Sequence, residues 1–347
     1  MSRPQDQYLD RYAEPEARKL GPLRRRFGHV LTIPAYGEGR ELVQTLESIP
    51  AGALGDVLTV LVVNGRADAP ASMQEANIAV LERLRANGGR GIPLAVNAAV
   101  HEHPRGALLV VDRATPGREL PPRHGVGLAR KIAADIALAL WSEGNVASPW
   151  IHCTDADAVL PSDYFEAAAA EVAGDSDAAL LYPFRHTGAT REALEYEISL
   201  RYYVAGLRFA GSPYAFHTIG STLAIHALAY ARVRGFPKRL AGEDFYLLNK
   251  LAKVGAIRSL GGEPIRLSAR ASKRTPFGTG RALERARGPE SGIAPLRVYH
   301  PDVFSDLGAW LQTLDALAET GIAAAPAEPL AERIGAWPCA DARRLRA

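Results

Sequence analysis

Asp155 and Asp157 stand one residue apart, directly after the β-type run Trp150 to Thr154. Two carboxylates at a strand end project from the edge of a sheet and repel each other. A divalent cation relieves that repulsion and can bridge to a diphosphate. Capping of the helix expected near Ser162 is the competing structural role for such a pair. A second acidic pair, Glu243-Asp244, follows Gly242 and opens the helical stretch Phe245-Tyr246-Leu247-Leu248. The helix dipole favours a carboxylate in a first turn, which accounts for one of the two. If this turn faces the cleft of Asp155, one of the pair can accept a proton from an attacking hydroxyl.

Other candidate groups sit on loops. Pro34-Ala35-Tyr36-Gly37-Glu38 follows one β-branched run and Asn64-Gly65 another, so Tyr36 can stack on a base while Glu38 or Asn64 binds ribose or base edges. Arg123 and Arg130-Lys131 bring cations close to a helix N-terminus, a place suited to phosphate. No Gly-x-Gly-x-x-Gly follows the first strand, so a dinucleotide fingerprint is lacking.

The elements that must hold these groups alternate. Strands are expected at His29 to Ile33, Val57 to Val63, Gly106 to Val111, Trp150 to Thr154, Ala178 to Tyr182, Ser221 to Ile225 and Pro264 to Ser268. Helices fit Glu41 to Ile49, Ala71 to Ala86, Leu128 to Trp141, Asp163 to Val172, Arg191 to Phe209 and Phe245 to Val254, with further helices within Pro301 to Ile334. Such alternation argues for an α/β fold with a mostly parallel sheet and helices on both faces. The aromatic stripe of Tyr196, Leu200, Tyr203 and Leu207 reads as core packing. The first 28 residues, with Arg24-Arg25-Arg26, read as a polar arm that docks late and carries a solvated charge cluster.

Composition sets outer bounds. The 347 residues are 47% hydrophobic and 23% charged, enough for one large or two ordinary domains and too apolar for general disorder. Two cysteines, Cys153 and Cys339, make no disulfide framework or zinc site and point to a reducing compartment. No apolar run approaches the ~18 residues of a membrane helix and no apolar signal segment opens the chain, so a soluble, cytoplasmic protein is expected. A net charge of +3 gives no support to a nucleic-acid partner.

Taken in order, Ile-Pro-Ala-Tyr-Gly-Glu at 33–38, Val-Val-Asn-Gly at 62–65, Gly-Leu-Ala-Arg-Lys at 127–131, Thr-Asp-Ala-Asp-Ala at 154–158, Gly-Ser-Thr-Leu-Ala-Ile at 220–225, Gly-Phe-Pro at 235–237 and Gly-Glu-Asp at 242–244 resemble the motif series of family-2-like glycosyltransferases of the GT-A fold, over about residues 28 to 270. The resemblance implies a Rossmann-like, mostly parallel central sheet flanked by helices, in a single large domain with C-terminal helices. It also implies transfer of one sugar from a nucleoside-diphosphate sugar to a hydroxyl acceptor, with inversion. Tyr36 would lie against the base, with Pro34 and Glu38 shaping the first loop and Asn64 where the family usually has an aspartate. Asp155 and Asp157 match its Asp-x-Asp, implying Mn²⁺ or Mg²⁺ bound with the donor diphosphate. Arg130 or Arg123 would be a donor-side cation, and Asp244 would be the general base with Glu243 beside it.

The segmentation that follows is a basic arm over 1–27, a donor-binding half over 28–160, an acceptor-binding and catalytic half over 161–300 and a helical extension over 301–347. A homodimer is compatible with this layout. His217, His226 and His300 are candidate further metal ligands, and the basic loop Ser272 to Gly280 could close over an anion. Two alternatives belong to other classes. Asp155-Ala156-Asp157-Ala158-Val159 also resembles the nucleophile motif of haloacid-dehalogenase-like phosphatases, with Asp155 as nucleophile, and the same cleft could bind a nucleotide sugar without turnover.

Overall fold

The computed structural model describes residues 3–88, 91–170, 176–188, 190–269 and 298–320. In chain order the elements are α1 (Pro4–Arg11), α2 (Pro15–Arg18), β1 (His29–Ala35), α3 (Arg40–Ser48), β2 (Val57–Asn64), α4 (Ala71–Gly88), β3 (Ile92–Ala95), β4 (Ala98–His103), β5 (Gly106–Arg113), α5 (Val126–Ser142) and β6 (Trp150–Cys153). They continue with β7 (Ala158–Val159), α6 (Tyr164–Ala170), β8 (Asp177–Leu181), β9 (Phe184–Thr187), α7 (Arg191–Phe209), β10 (Leu223–His226), α8 (Ala227–Arg232), α9 (Glu243–Leu251), β11 (Ala256–Ser259), β12 (Ile265–Ser268) and α10 (Pro301–Thr320).

The fold is α/β, as expected. One nine-stranded sheet has the order β11-β8-β10-β6-β1-β2-β5-β4-β3, and its centre, β6-β1-β2-β5, is parallel. Every residue of β1 and β2 is buried, the pattern of strands covered on both faces. From β1 the chain steps through α3 to β2 and through α4 to β5, then returns through α5 to β6 on the other side of β1. Right-handed crossovers therefore put α5 on the opposite face from α3 and α4, and the reversal makes a switch point between β1 and β6. Helix α5 packs on β1 and β2, and its Gly127 to Leu140 stretch is wholly buried, which its alanine-rich, nearly all-round apolar sequence permits.

Antiparallel pairs enter at the flanks. Strand β10 pairs antiparallel with both β6 and β8, and the hairpin β3-β4, absent from the sequence-based expectation, extends the sheet beyond β5. Strand β12, expected near 264–268, joins a separate three-stranded sheet, β7-β12-β9.

The N-terminal segment is helical and packed in part rather than an irregular polar arm. Residues 4–18 form α1 and α2, in which Tyr8 is 1% exposed. Tyr8 donates to Asp135 Oδ1 (2.6 Å) and the Glu14 amide donates to Asp135 Oδ2 (2.7 Å). The periodicity was too short to announce these helices, because α2 is four residues long and owes its place to packing on α5. Arg25 is not merely solvated, since it pairs with Asp56 and Glu102.

The chain divides into two compact units. The larger comprises residues 1–198 and 216–296, and the smaller 199–215 and 297–347. Within the smaller, Phe304 of α10 is buried and meets Tyr202, Tyr203 and Tyr299 edge-on or tilted. Gly206 gives it room: a Cβ there would lie 2.4 Å from the Phe304 ring. The stripe expected on α7 is corrected in part, because the buried positions are Ala193, Val204 and Leu207 while Tyr203 is 44% exposed. The expected linker at Ala323 to Pro329, helical residues after Thr320, Cys339 and the loop at Ser272 to Gly280 lie outside the described residues. Among the described residues no helix is long and apolar enough to cross a membrane.

Under the sheet His29 and His152 sit edge-on, 5.7 Å apart, beside Phe165. Burial lowers His29 to about 4 and His152 well below its ordinary value. Both rings are therefore neutral when folded but protonate near 6.5 when unfolded. The stability they contribute is fully present above about pH 6.5 and is lost as the pH falls toward about 4, at up to about 1.4 kcal/mol per histidine and pH unit. The urea midpoint is expected to fall between pH 7 and pH 4.5, and to fall less in His29→Gln. An identical acid limb in that variant would refute this origin.

Candidate active site

The carboxyl ends of β1, β2 and β6 carry the loops singled out by sequence, flanking the β1/β6 switch point, where open α/β sheets bind ligands. Near the end of β1, Pro34 is buried; beyond the strand, Tyr36 is half-buried and Glu38 is 8% exposed. At the end of β2, Asn64 is 4% exposed, and among the described residues its Oδ1 has no hydrogen-bond partner, which leaves an acceptor atom at this edge. The two loops are tied by Asn77 of α4. Its Oδ1 accepts from the Gly37 amide (2.8 Å) and its Nδ2 donates to the Asn64 carbonyl (3.1 Å). Gly37 has a φ of +61°, which a side chain would strain.

Arg130 joins the two acidic pairs. It sits in the first turns of α5, 4% exposed; its Nη2 donates to Asp155 Oδ1 (2.5 Å) and its Nε to Glu243 Oε1 (3.0 Å). Turns 88 residues apart in the chain therefore meet on one guanidinium. Burial alone would lower the pKa of Arg130, but Asp155 and Glu243 outweigh it and raise it. Burial raises Glu243 to about 7 despite Arg130, with the charge of Asp244 adding to the rise. Burial also raises Asp244, against hydrogen bonds from the Phe245 and Gly220 amides. Asp155 and Glu243 thus share the Arg130 guanidinium, and its charge also acts on Asp244.

Glycines let the backbones close around this hub. A Cβ on Gly220 would lie 2.8 Å from Arg130 Nη2, and one on Gly127 would lie 2.6 Å from the Pro237 carbonyl. Residues 237–240 thus rest on the start of α5, with the Gly127 amide donating to the Arg239 carbonyl (3.2 Å). Gly242, at φ +74°, turns the chain into α9, whose first residue, Glu243, pairs with Arg130 and is followed by Asp244.

No protein-family model matches the chain, and no curated protein does. Among solved structures, S. aureus TarS (residues 1–349) is 13% identical over 70% of this chain, with a TM-score of 0.43, and this chain spans 61% of it. The TarS complex with UDP-GlcNAc is 12% identical, covering 83% of this chain and 72% of that one, with a TM-score of 0.46. The mannosyltransferase PcManGT from Pyrobaculum calidifontis, in complex with GDP-Man and Mn²⁺, is 19% identical, covering 91% and 81%, with a TM-score of 0.44.

A hard divalent cation suits the oxygen donors at the end of β6. The Asp155 carboxylate is 40% exposed and gives only Oδ1 to Arg130, and Asp157 follows in the same turn, half-buried. Among the described residues no cluster of three His, Cys, Asp or Glu could enclose a metal. Two carboxylates completed by phosphate oxygens and water are the usual Mg²⁺-type arrangement.

Not every expected residue joins the cluster. Arg123 is exposed on the loop before α5. His226 caps α8 by accepting from the Leu228 amide, and His300 pairs with Asp302 at the start of α10, so both have structural work. His217 lies edge-on to Phe184 at 5.0 Å. Sequence reasoning missed Asn77, a polar residue buried in mid-helix, and gave Gly220 a place in a motif but no role. Only the fold shows what either one touches.

Proposed function

We propose that this chain is a glycosyltransferase that moves one sugar from a nucleoside-diphosphate sugar to a hydroxyl acceptor with inversion, in a metal-dependent reaction. The observation that carries the proposal is the junction of Asp155 and Glu243 on buried Arg130, with Asp244 beside it at the sheet's carboxyl edge. Tyr36 lies against the base in the first loop, shaped by Pro34 and Glu38, and Asn64 binds the base or the ribose. Arg130 or Arg123 is the donor-side cation. Asp155 and Asp157 hold Mn²⁺ or Mg²⁺, which when bound neutralises charge on the departing diphosphate. Arg130 fixes Asp155 and Glu243 in register with each other. Asp244 takes the proton of the acceptor hydroxyl as its oxygen bonds to the anomeric carbon and the bond from that carbon to the diphosphate oxygen breaks. The loops after β1 and β2, which a phosphatase built on Asp155 leaves without a task, serve the donor in this reading. The acceptor-binding half over residues 161–300 and a cytoplasmic setting complete the proposal.

The test is thermal stability with UDP, GDP, dTDP or CDP, with and without Mn²⁺. One nucleotide is expected to raise the melting temperature by a few degrees with Mn²⁺ and little without it, since a ligand at 100 times its Kd adds about 2.7 kcal/mol. If no nucleotide stabilises the protein under either condition, the reading fails.

A further inference from the structure

Residues 237–240 and the first turn of α9 present an exposed cation on an aromatic plate next to Asp244. Lys238 is committed, its Nζ 2.7 Å from Glu14 Oε1. Arg239 is not: among the described residues it has no carboxylate partner, and it is exposed. Its Cζ lies over the Tyr246 ring, 3.8 Å from the centroid, and Phe245 stands perpendicular to Tyr246 at 5.3 Å. Both rings are outward, at 48% exposure for Phe245 and 42% for Tyr246. The backbone beneath is fixed, because the Arg239 carbonyl accepts from the Gly127 amide and Leu240 packs on Gly125. A guanidinium held over a ring by cation–π attraction on an exposed residue keeps N–H donors that can receive a carboxylate or phosphate in bidentate fashion. The faces of exposed aromatic rings suit the apolar face of a sugar ring.

We propose that Arg239, stacked on Tyr246 beside Phe245, is the acceptor-docking point, and that the acceptor is a hydroxyl-bearing compound carrying an oxyanion. This rests on the reading of Asp244 as base, since Tyr246, which carries Arg239, stands in the same first turn of α9 as that carboxylate.

The test is saturation-transfer NMR with methyl glucuronide, glucose 6-phosphate and neutral methyl glucoside. The first two separate a carboxylate from a phosphate source. At least one anionic probe is expected to bind about tenfold more tightly than the neutral glycoside, and Arg239→Ala to remove that advantage. Arg239→Lys, which keeps the charge without the planar fork, is expected to restore part of it. The thermal midpoint of each variant reports that it is folded. Equal binding of the neutral probe, binding that survives Arg239→Ala, or no binding of any probe overturns the proposal. A wild-type protein that binds the anion through Arg239 yet responds to no nucleotide would sink the glycosyltransferase reading and leave the anion site standing. Nucleotide stabilisation without Arg239-dependent anion binding would do the reverse.

Discussion

Asp244→Asn is expected to lower turnover by about 10²–10⁴-fold while the metal-dependent nucleotide response persists. The side chain is half-buried at the first turn of α9, and Oδ1 already accepts from the Phe245 amide at 2.8 Å. Asparagine is nearly isosteric and keeps the bond from Phe245, and the Arg130 contacts, made by Asp155 and Glu243, stay in place. What disappears is the capacity to accept a proton, and burial, which raises the pKa of this carboxyl, makes it a better base than an exposed aspartate. Asp155→Asn provides the contrast. That change strikes a carboxylate assigned to the cation, so the nucleotide response in Mn²⁺ itself is expected to collapse. Sugar transfer measured on the two variants beside their thermal shifts separates the roles. Unchanged turnover in Asp244→Asn would remove the base from the proposal.

Asp135→Ala is expected to cost about 3–5 kcal/mol of stability, read as a lowered urea midpoint. Asp135 is fully buried in α5 and accepts from Tyr8 (2.6 Å), Tyr230 (2.7 Å), Lys131 (3.0 Å) and the Glu14 amide (2.7 Å). Without it the ammonium of Lys131, itself 4% exposed, is left buried and uncompensated, and three other donors lose their acceptor. Tyr8→Phe removes one of these bonds and is expected to cost only about 1 kcal/mol. The packing is unforgiving around it, since a Cβ on Gly235 would meet the Tyr8 hydroxyl oxygen at 2.3 Å. Arg130 is one residue from Lys131, so this anchor also holds the helix from which the acidic junction is built. A loss below 1 kcal/mol in Asp135→Ala would show that the buried cluster is not the clamp described.

Much of the local structure was legible before any fold was known. The β-branched runs ending at Pro34 and Asn64 became fully buried parallel strands, because only strands covered on both faces tolerate so continuous an apolar sequence. Where short elements owe their existence to partners, the sequence was silent. Helix α2 and the β3-β4 hairpin carry little periodic signal of their own and are fixed by α5 and by β5. Tyr203 has the spacing of a core residue yet faces outward, since spacing gives a face but not what covers it.

The amino-acid sequence alone determined that one acidic pair follows a strand and the other opens a helix, because hydrophobic period and glycine punctuation act over a few neighbouring residues. That Arg130 clasps both pairs, across 25 residues to Asp155 and 113 to Glu243, was decided by tertiary structure. So were the reversal of strand order between β1 and β6 and the bridge made by Asn77. Contacts between distant segments are selected by how whole faces pack, and no local period encodes them.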